Sequence, residues 1–164
     1  MTVEQKTLSR SISDFFWKEE LTLATAESCT AGNVAAAITA IPGSSKFYKG
    51  GVVAYANETK ENLLHVSHDT LVAHGAVSEE TITEMIHGAL QTFGTDYAVA
   101  TSGISGPAGG TPDKPVGTIW IAAGNKDKIL TQLLSGDEGR EINIQNATVK
   151  ALQLLLKFRS VEEK

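Results

Sequence analysis

Leu8, Ile12, Phe15 and Phe16 recur at three- and four-residue intervals, which predicts an amphipathic helix ending near Glu20. Leu21 to Ala26 reads as a strand. Ala31 to Ile41 carries Val34, Ala37, Ile38 and Ile41 on one face, and Pro42-Gly43 ends that helix. Gly51 to Ala56 reads as the next strand. Asn57 is placed to cap a short helix with Leu63 and Leu64, and a second helical piece covers Asp69 to His74. Ser78 is the clearest cap. Glu79 and Glu80 follow it, and Ile82, Met85, Ile86, Ala89, Leu90 and Phe93 then form one stripe. Strands are expected at Asp96 to Thr101, Val116 to Ala123 and Lys128 to Leu134, with a closing helix from Arg140 to Phe158.

Helical crossovers come early in this order and adjacent strands come late. The expectation is an α/β fold of three layers, α/β/α, with a mixed β-sheet in one domain spanning residues 1–164. A chain of 164 residues, 41% hydrophobic, has enough apolar material for its own core. Its single cysteine, Cys29, excludes an internal disulfide, and the opening Met-Thr-Val-Glu-Gln-Lys lacks the apolar core of a signal peptide, so a cytoplasmic location is expected. No apolar run approaches the roughly 20 residues that cross a bilayer. The net charge of -5 argues against a broad nucleic-acid surface. Phe15, Phe16 and Trp17 are consecutive and read as partly surface-exposed, so the expected partner is a second copy in a homodimer.

The polar motifs fall where strands meet loops and helix N-termini, the usual place for ligands in such sheets. Thr101 to Gly117 holds five glycines and three of the chain's four prolines. Glycines let backbone N–H groups approach a ligand, prolines stiffen the path, and Thr101, Ser102, Ser105 and Thr111 add hydroxyls. That combination suits an anion such as phosphate; the alternative is a long surface loop. Thr25-Ala26-Glu27-Ser28-Cys29-Thr30-Ala31-Gly32 lies at a strand–helix junction, where Ser28 is either a nucleophile beside an oxyanion site or, like Thr30, a helix cap. Cys29 is a rival nucleophile, but His65, His68, His74 and His87 all fall in or near surface helices, leaving it as a small buried thiol. Tyr55 ends a strand, and Lys60 falls in the first turn of the next helix. There the helix dipole opposes its charge and lowers its pKa, so it is either a base for a serine hydroxyl, directly or through Tyr55, or a solvated surface lysine.

Ala-Glu-Ser-Cys-Thr-Ala-Gly at 26–32, Tyr-Ala-Asn at 55–57, Gly-Ala-Val-Ser at 75–78, Thr-Ser-Gly-Ile-Ser-Gly-Pro-Ala-Gly-Gly-Thr at 101–111 and Lys-Pro-Val-Gly-Thr at 114–118 together resemble the CinA C-terminal domain family. That family includes stand-alone nicotinamide-nucleotide amidases of the PncC type, and the chain resembles the free-standing form. The resemblance implies hydrolysis of nicotinamide mononucleotide to nicotinic acid mononucleotide and ammonia, with no metal or organic cofactor. It implies Ser28 as the nucleophile and Lys60 with Tyr55 as the proton-transfer pair. Backbone N–H groups near Cys29 and Thr30, or in the glycine loop, would hold the oxyanion. The loop containing Ser102, Gly103, Ser105, Gly106, Gly109, Gly110 and Thr111 would grip ribose and phosphate. The family's late Gly-Asp-Arg motif is stretched here to Gly136-Asp137-Glu138-Gly139-Arg140, and Arg140 is the expected phosphate contact. The alternative implied by the same family is a non-catalytic nucleotide-binding or interaction module.

Overall fold

In the computed structural model, which describes residues 1–162, a five-stranded sheet runs in the order β2-β1-β3-β4-β5. Its strands are β1 (Leu23–Glu27), β2 (Tyr48–Val53), β3 (Tyr97–Gly103), β4 (Ile119–Gly124) and β5 (Ile129–Leu134). β1 pairs in parallel with both β2 and β3, whereas β4 and β5 join antiparallel. The sheet is therefore mixed and open. The helices are α1 (Val3–Lys18), α2 (Asn33–Thr39), α3 (Asn57–Leu64), α4 (His68–His74), α5 (Glu79–Phe93) and α6 (Arg140–Glu162), with one 3-10 turn at Ser44–Lys46.

Side-chain alternation along the strands divides the core in two. Tyr97 and Val99 of β3, with Ile119, Ile121 and Ala123 of β4, face the layer of α1, α2 and α6, where they meet Phe16, Ile38, Leu152 and Phe158. Ala98, Ala100 and Ala122 face the other way and join Leu64, Ile82, Met85 and Ile86 of α3 and α5. Alanines on that face let α5 lie close to the sheet. Gly88 does the same between helices: a Cβ there would fall on the carbonyl oxygen of Leu64.

Local chemistry sets the helix boundaries. Thr2 and Gln5 form a reciprocal capping box at α1, with bonds of 2.8 and 3.1 Å, and Ser78 accepts the Thr81 N–H at 3.1 Å as expected of a cap. α2 is shorter than the spacing predicts, because Ala31 and Gly32 take positive φ values of 51° and 93° and extend the preceding turn. Asn57 does not cap α3; Ala56 occupies the cap position and Asn57 is the first helical residue. β2 starts earlier and ends earlier than the expected Gly51 to Ala56, because its register on β1 pairs Tyr48 with Leu23 and Val53 with Glu27. That frees Ala54, Tyr55 and Ala56 to leave the sheet.

Phe15 and Phe16 are core residues, not surface ones. They pack edge to face at 5.0 Å, and Phe16 stacks on Phe47 at 5.5 Å. α1 packs on both α6 and α2, so its buried side is wider than a single stripe. Full burial of one such ring contributes about 2–3 kcal/mol. Trp17 alone is exposed, with Lys46 Nζ 4.5 Å from its ring, so the argument for a homodimer loses its main premise.

Candidate active site

After β1 the chain crosses through α2 to β2 on one side, and after β2 it crosses back through α3–α5 to β3 on the other. The carboxyl ends of β1 and β3 therefore diverge at a topological switch point, where open α/β sheets form a crevice. Ser28 follows β1 directly, and its N–H donates to the Thr101 carbonyl of β3 at 2.9 Å. A cavity of about 280 Å³ opens there, lined by Ser28, Cys29, Tyr55, Asn57, Lys60, Ala76, Val77, Ser102, Arg140 and residues 103–106, 108 and 109.

The turn after Ser28 is built on Glu27. This carboxylate is only 1% exposed and accepts from Thr30 Oγ1 at 2.6 Å and from the amides of Gly32, Val34 and Ala35 at 3.0, 3.0 and 2.8 Å. A negative charge thus satisfies the orphan N–H groups at the start of α2. Its own carbonyl accepts the Ala54 N–H at 2.7 Å, tying the turn to the chain leaving β2. The amides of Cys29 and Thr30 donate to no other residue among the described ones. Two amides with no partner in another residue therefore follow Ser28 directly, and of the two only Cys29 lines the cavity.

Lys60 is not solvated. It is 1% exposed, and its Nζ lies 2.7 Å from the Ala54 carbonyl and 3.2 Å from Ser28 Oγ. Burial, more than any charge, lowers its pKa from the ordinary lysine value, and the Cys29 thiol pulls weakly the other way. The sequence foresaw the direction but ascribed it to the helix dipole. Cys29 is 5% exposed, and burial pushes its thiol up to about 11, so it is protonated at neutral pH and inert as a nucleophile. His65, His68, His74 and His87 are all exposed and none lines the cavity.

Tyr55 lines the cavity mouth, but its hydroxyl meets Arg140 Nη2 at 3.0 Å and bonds neither Ser28 nor Lys60. Of the two expected routes, direct or through the phenol, the geometry holds the direct contact between lysine and serine. Arg140 does reach the site despite the stretched motif. Its Nη1 donates to the Gly106 carbonyl at 2.7 Å, and it starts α6 beside the glycine loop. Asp137 is used too: its carboxylate accepts Asn143 Nδ2 at 2.9 Å, and that same amide group donates to the Ser105 carbonyl at 3.1 Å.

The glycine loop contributes less hydroxyl chemistry than expected. Thr30 and Thr101 are fully buried and bond each other at 2.7 Å behind the cavity wall. Ser102 lines the cavity but donates its hydroxyl to the Ala76 carbonyl at 2.7 Å. Gly110 and Thr111 lie outside the lining, because Thr111 closes a turn with Lys114 through bonds of 2.9 and 3.0 Å. Gly103, Ser105, Gly106 and Gly109 do line it, and the amides of Gly106, Ala108 and Gly109 donate to no acceptor among the described residues. Those amides, with the Arg140 guanidinium, gather hydrogen-bond donors along one edge of the cavity, an arrangement that suits an anion. Asn57, Ala76 and Val77 also line the cavity; they lie in the 55–57 and 75–78 motifs that carried the family resemblance, but no site role was expected of them.

A larger groove of about 640 Å³ beside Trp17 lies away from this chemistry and contains no nucleophile with a base. Among the described residues no cluster of His, Cys, Asp and Glu side chains has the arrangement of a metal site, and no helix is long and apolar enough to cross a membrane.

Fold and site together define an α/β domain with a buried serine–lysine pair and a glycine-rich loop at one switch point. The chain belongs to the CinA C-terminal domain family, whose pattern it matches over residues 5–159. A CinA-like protein from Chlorobium chlorochromatii is 42% identical over 163 residues, covering 95% of this chain and 38% of that protein. A putative competence-damage inducible protein from Symbiobacterium thermophilum is 50% identical over 125 residues, 76% of this chain and 29% of the relative. The chain thus spans well under half the length of these relatives. Among solved structures, the competence/damage inducible protein CihA from Agrobacterium tumefaciens superposes with a TM-score of 0.93 at 38% identity, covering 96% of each chain. A competence-damaged protein (CinA) superfamily protein from Escherichia coli gives 0.90 at 34% identity, covering 93% of this chain and 89% of that one.

Proposed function

We propose that this chain is an amidohydrolase that converts nicotinamide mononucleotide to nicotinic acid mononucleotide and ammonia, acting in the cytoplasm in pyridine nucleotide recycling. The observation that carries the reading is the 3.2 Å contact between Lys60 Nζ and Ser28 Oγ in a site that buries the amine. A neutral Lys60 keeps one N–H on the Ala54 carbonyl and turns its lone pair to the serine proton. Ser28 Oγ then attacks the carboxamide carbon as its proton passes to Lys60. The tetrahedral oxyanion is held by the Cys29 amide, which follows Ser28 at the cavity wall. Collapse breaks the C–N bond, with the leaving nitrogen taking the proton from Lys60, and ammonia departs. Water attacks the acyl-enzyme, Lys60 accepts its proton, and return of that proton to Ser28 completes the cycle. Phosphate lies at the mouth against Arg140 and the loop amides, where the lining supplies the Arg140 cation and no carboxylate.

The test is ammonia release from nicotinamide mononucleotide by the purified protein and its Ser28→Ala variant. Release that vanishes in Ser28→Ala is expected; nucleotide binding without release in the unaltered protein would instead identify a binding module.

A further inference from the structure

Lys114 is absent from the cavity lining, yet its side chain is bonded to the segment that leads into one wall. Between α4 and α5 three consecutive carbonyls, those of His74, Gly75 and Ala76, accept no backbone amide among the described residues, and side chains take each of them instead. Lys114 Nζ donates to His74 at 2.7 Å, Ser78 Oγ and Thr81 Oγ1 donate to Gly75 at 3.0 and 2.7 Å, and Ser102 Oγ donates to Ala76 at 2.7 Å. The His74 carbonyl is the last of α4, where orphan acceptors and the negative end of the helix dipole favour an ammonium group. Ala76 and Val77, which line the cavity, follow at once. That wall is therefore bonded to both roots of the glycine loop, at Ser102 near the end of β3 and at Lys114 where the loop turns back.

The two halves of the loop are held differently. Its first half is fixed to α6, through Asn143 Nδ2 on the Ser105 carbonyl at 3.1 Å and Arg140 Nη1 on the Gly106 carbonyl at 2.7 Å. Residues 107–113 make no hydrogen bond to any part of the domain outside the loop, among the described residues. Their bonds are to Lys114 itself: the Thr111 N–H donates to its carbonyl at 2.9 Å, and its own N–H donates to Thr111 Oγ1 at 3.0 Å. The Lys114 side chain is thus the hydrogen-bonded anchor of the far half, which carries the free amides of Ala108 and Gly109 on the cavity lining.

We propose that Lys114 is a positioning residue: by bonding the end of α4 it holds the far half of the glycine loop, and so sets the Ala108 and Gly109 amides where the anionic group of the substrate binds. This rests on the reading above for the identity of that group, the phosphate of nicotinamide mononucleotide. Lys114 does not line the cavity, so its loss acts through the loop, and on binding more than on acyl transfer at Ser28. A loop released from its anchor must be ordered again each time the ligand binds, and that entropy is subtracted from the affinity.

The test compares the intact chain with its Lys114→Met and Lys114→Arg variants. With nicotinamide mononucleotide, Lys114→Met should raise KM roughly fivefold, the order of one hydrogen bond, and keep kcat within about twofold. Lys114→Arg should keep KM near that of the unaltered protein, because a guanidinium also donates to a helix-end carbonyl. Without ligand, 15N relaxation should show the Ala108, Gly109 and Gly110 amides ordered in the unaltered protein and in Lys114→Arg, and mobile in Lys114→Met. An unchanged KM in Lys114→Met overturns the proposal, as does a loop equally ordered in all three proteins. A fall of kcat and melting temperature along with the rise in KM also overturns it, since Lys114 would then support the fold at large. If the unaltered protein releases no ammonia, the amidase reading fails on its own, and the calorimetric Kd for the same nucleotide takes the place of KM with the same outcomes; no binding by the unaltered protein overturns both.

Discussion

The Ala54 carbonyl accepts Lys60 Nζ at 2.7 Å while the Ala54 N–H is held at 2.7 Å by the carbonyl of Glu27, the residue before Ser28. The backbone of one residue therefore ties Lys60 to the strand end that carries Ser28. It sits just past the end of β2, where the chain leaves the sheet, and it explains how groups 32 residues apart meet at 3.2 Å.

Ser28→Ala should lower kcat for ammonia release by roughly a thousandfold or more, with the affinity for nucleotide kept, since one oxygen is deleted from a formed cavity. Cys29→Ala should retain turnover, because its thiol, pushed up to about 11, is not ionised at neutral pH. Steady-state kinetics with isothermal binding on both variants checks this, and the reverse pattern would move the nucleophile to Cys29.

Lys60 acts only when neutral, so kcat/KM should rise with pH and level off above a midpoint below the ordinary lysine value of 10.5. Lys60→Arg should not restore activity, because a guanidinium stays charged. The same shift has a sign for stability. With the folded pKa lowered, the unfolded chain binds more protons between that value and 10.5, so stability rises with pH there. Up to pH 9, where the unfolded Cys29 thiol begins to act oppositely, denaturant unfolding should show that slope in the unaltered protein and lose it in Lys60→Met.

Arg140→Ala should raise KM roughly tenfold with a smaller change in kcat, since the guanidinium spans Gly106 and Tyr55 at the mouth and does not touch Ser28. Tyr55→Phe should leave kcat within a few-fold. A collapse of kcat in Tyr55→Phe would return the phenol to the proton path.

Glu27→Ala should destabilise the domain by about 3 kcal/mol or more, because three amides and a threonine hydroxyl lose their buried acceptor at once. Chemical denaturation measures the loss. Equal stability would show that water replaces the carboxylate.

Gly88→Ala is a separate test of packing. Alanine gains about 1 kcal/mol of helix propensity, but its Cβ meets the Leu64 carbonyl oxygen, a backbone atom that cannot swing aside. Overpacking of that kind costs about 1–3 kcal/mol. The melting temperature should therefore fall or at best hold; a clear rise would mean that α3 and α5 separate freely.

The sequence by itself determined the element order, the α/β class and the two junctions that carry the chemistry, because periodicity, caps and glycine placement act within a few residues of chain. The stripe on α5 and the Ser78 cap were legible for that reason. The tertiary structure decided what depends on neighbours distant in sequence. Lys60 reads as a surface residue until α3 packs on α5 and β2 ends at Val53, and Phe15 reads as exposed until α1 meets α6. Arg140 and Asp137 looked misplaced by two inserted residues, yet the start of α6 brings one to Gly106 and the other, through Asn143, to Ser105. Burial and partner choice are properties of the packed molecule, and they lower the pKa of Lys60 and set its amine against Ser28.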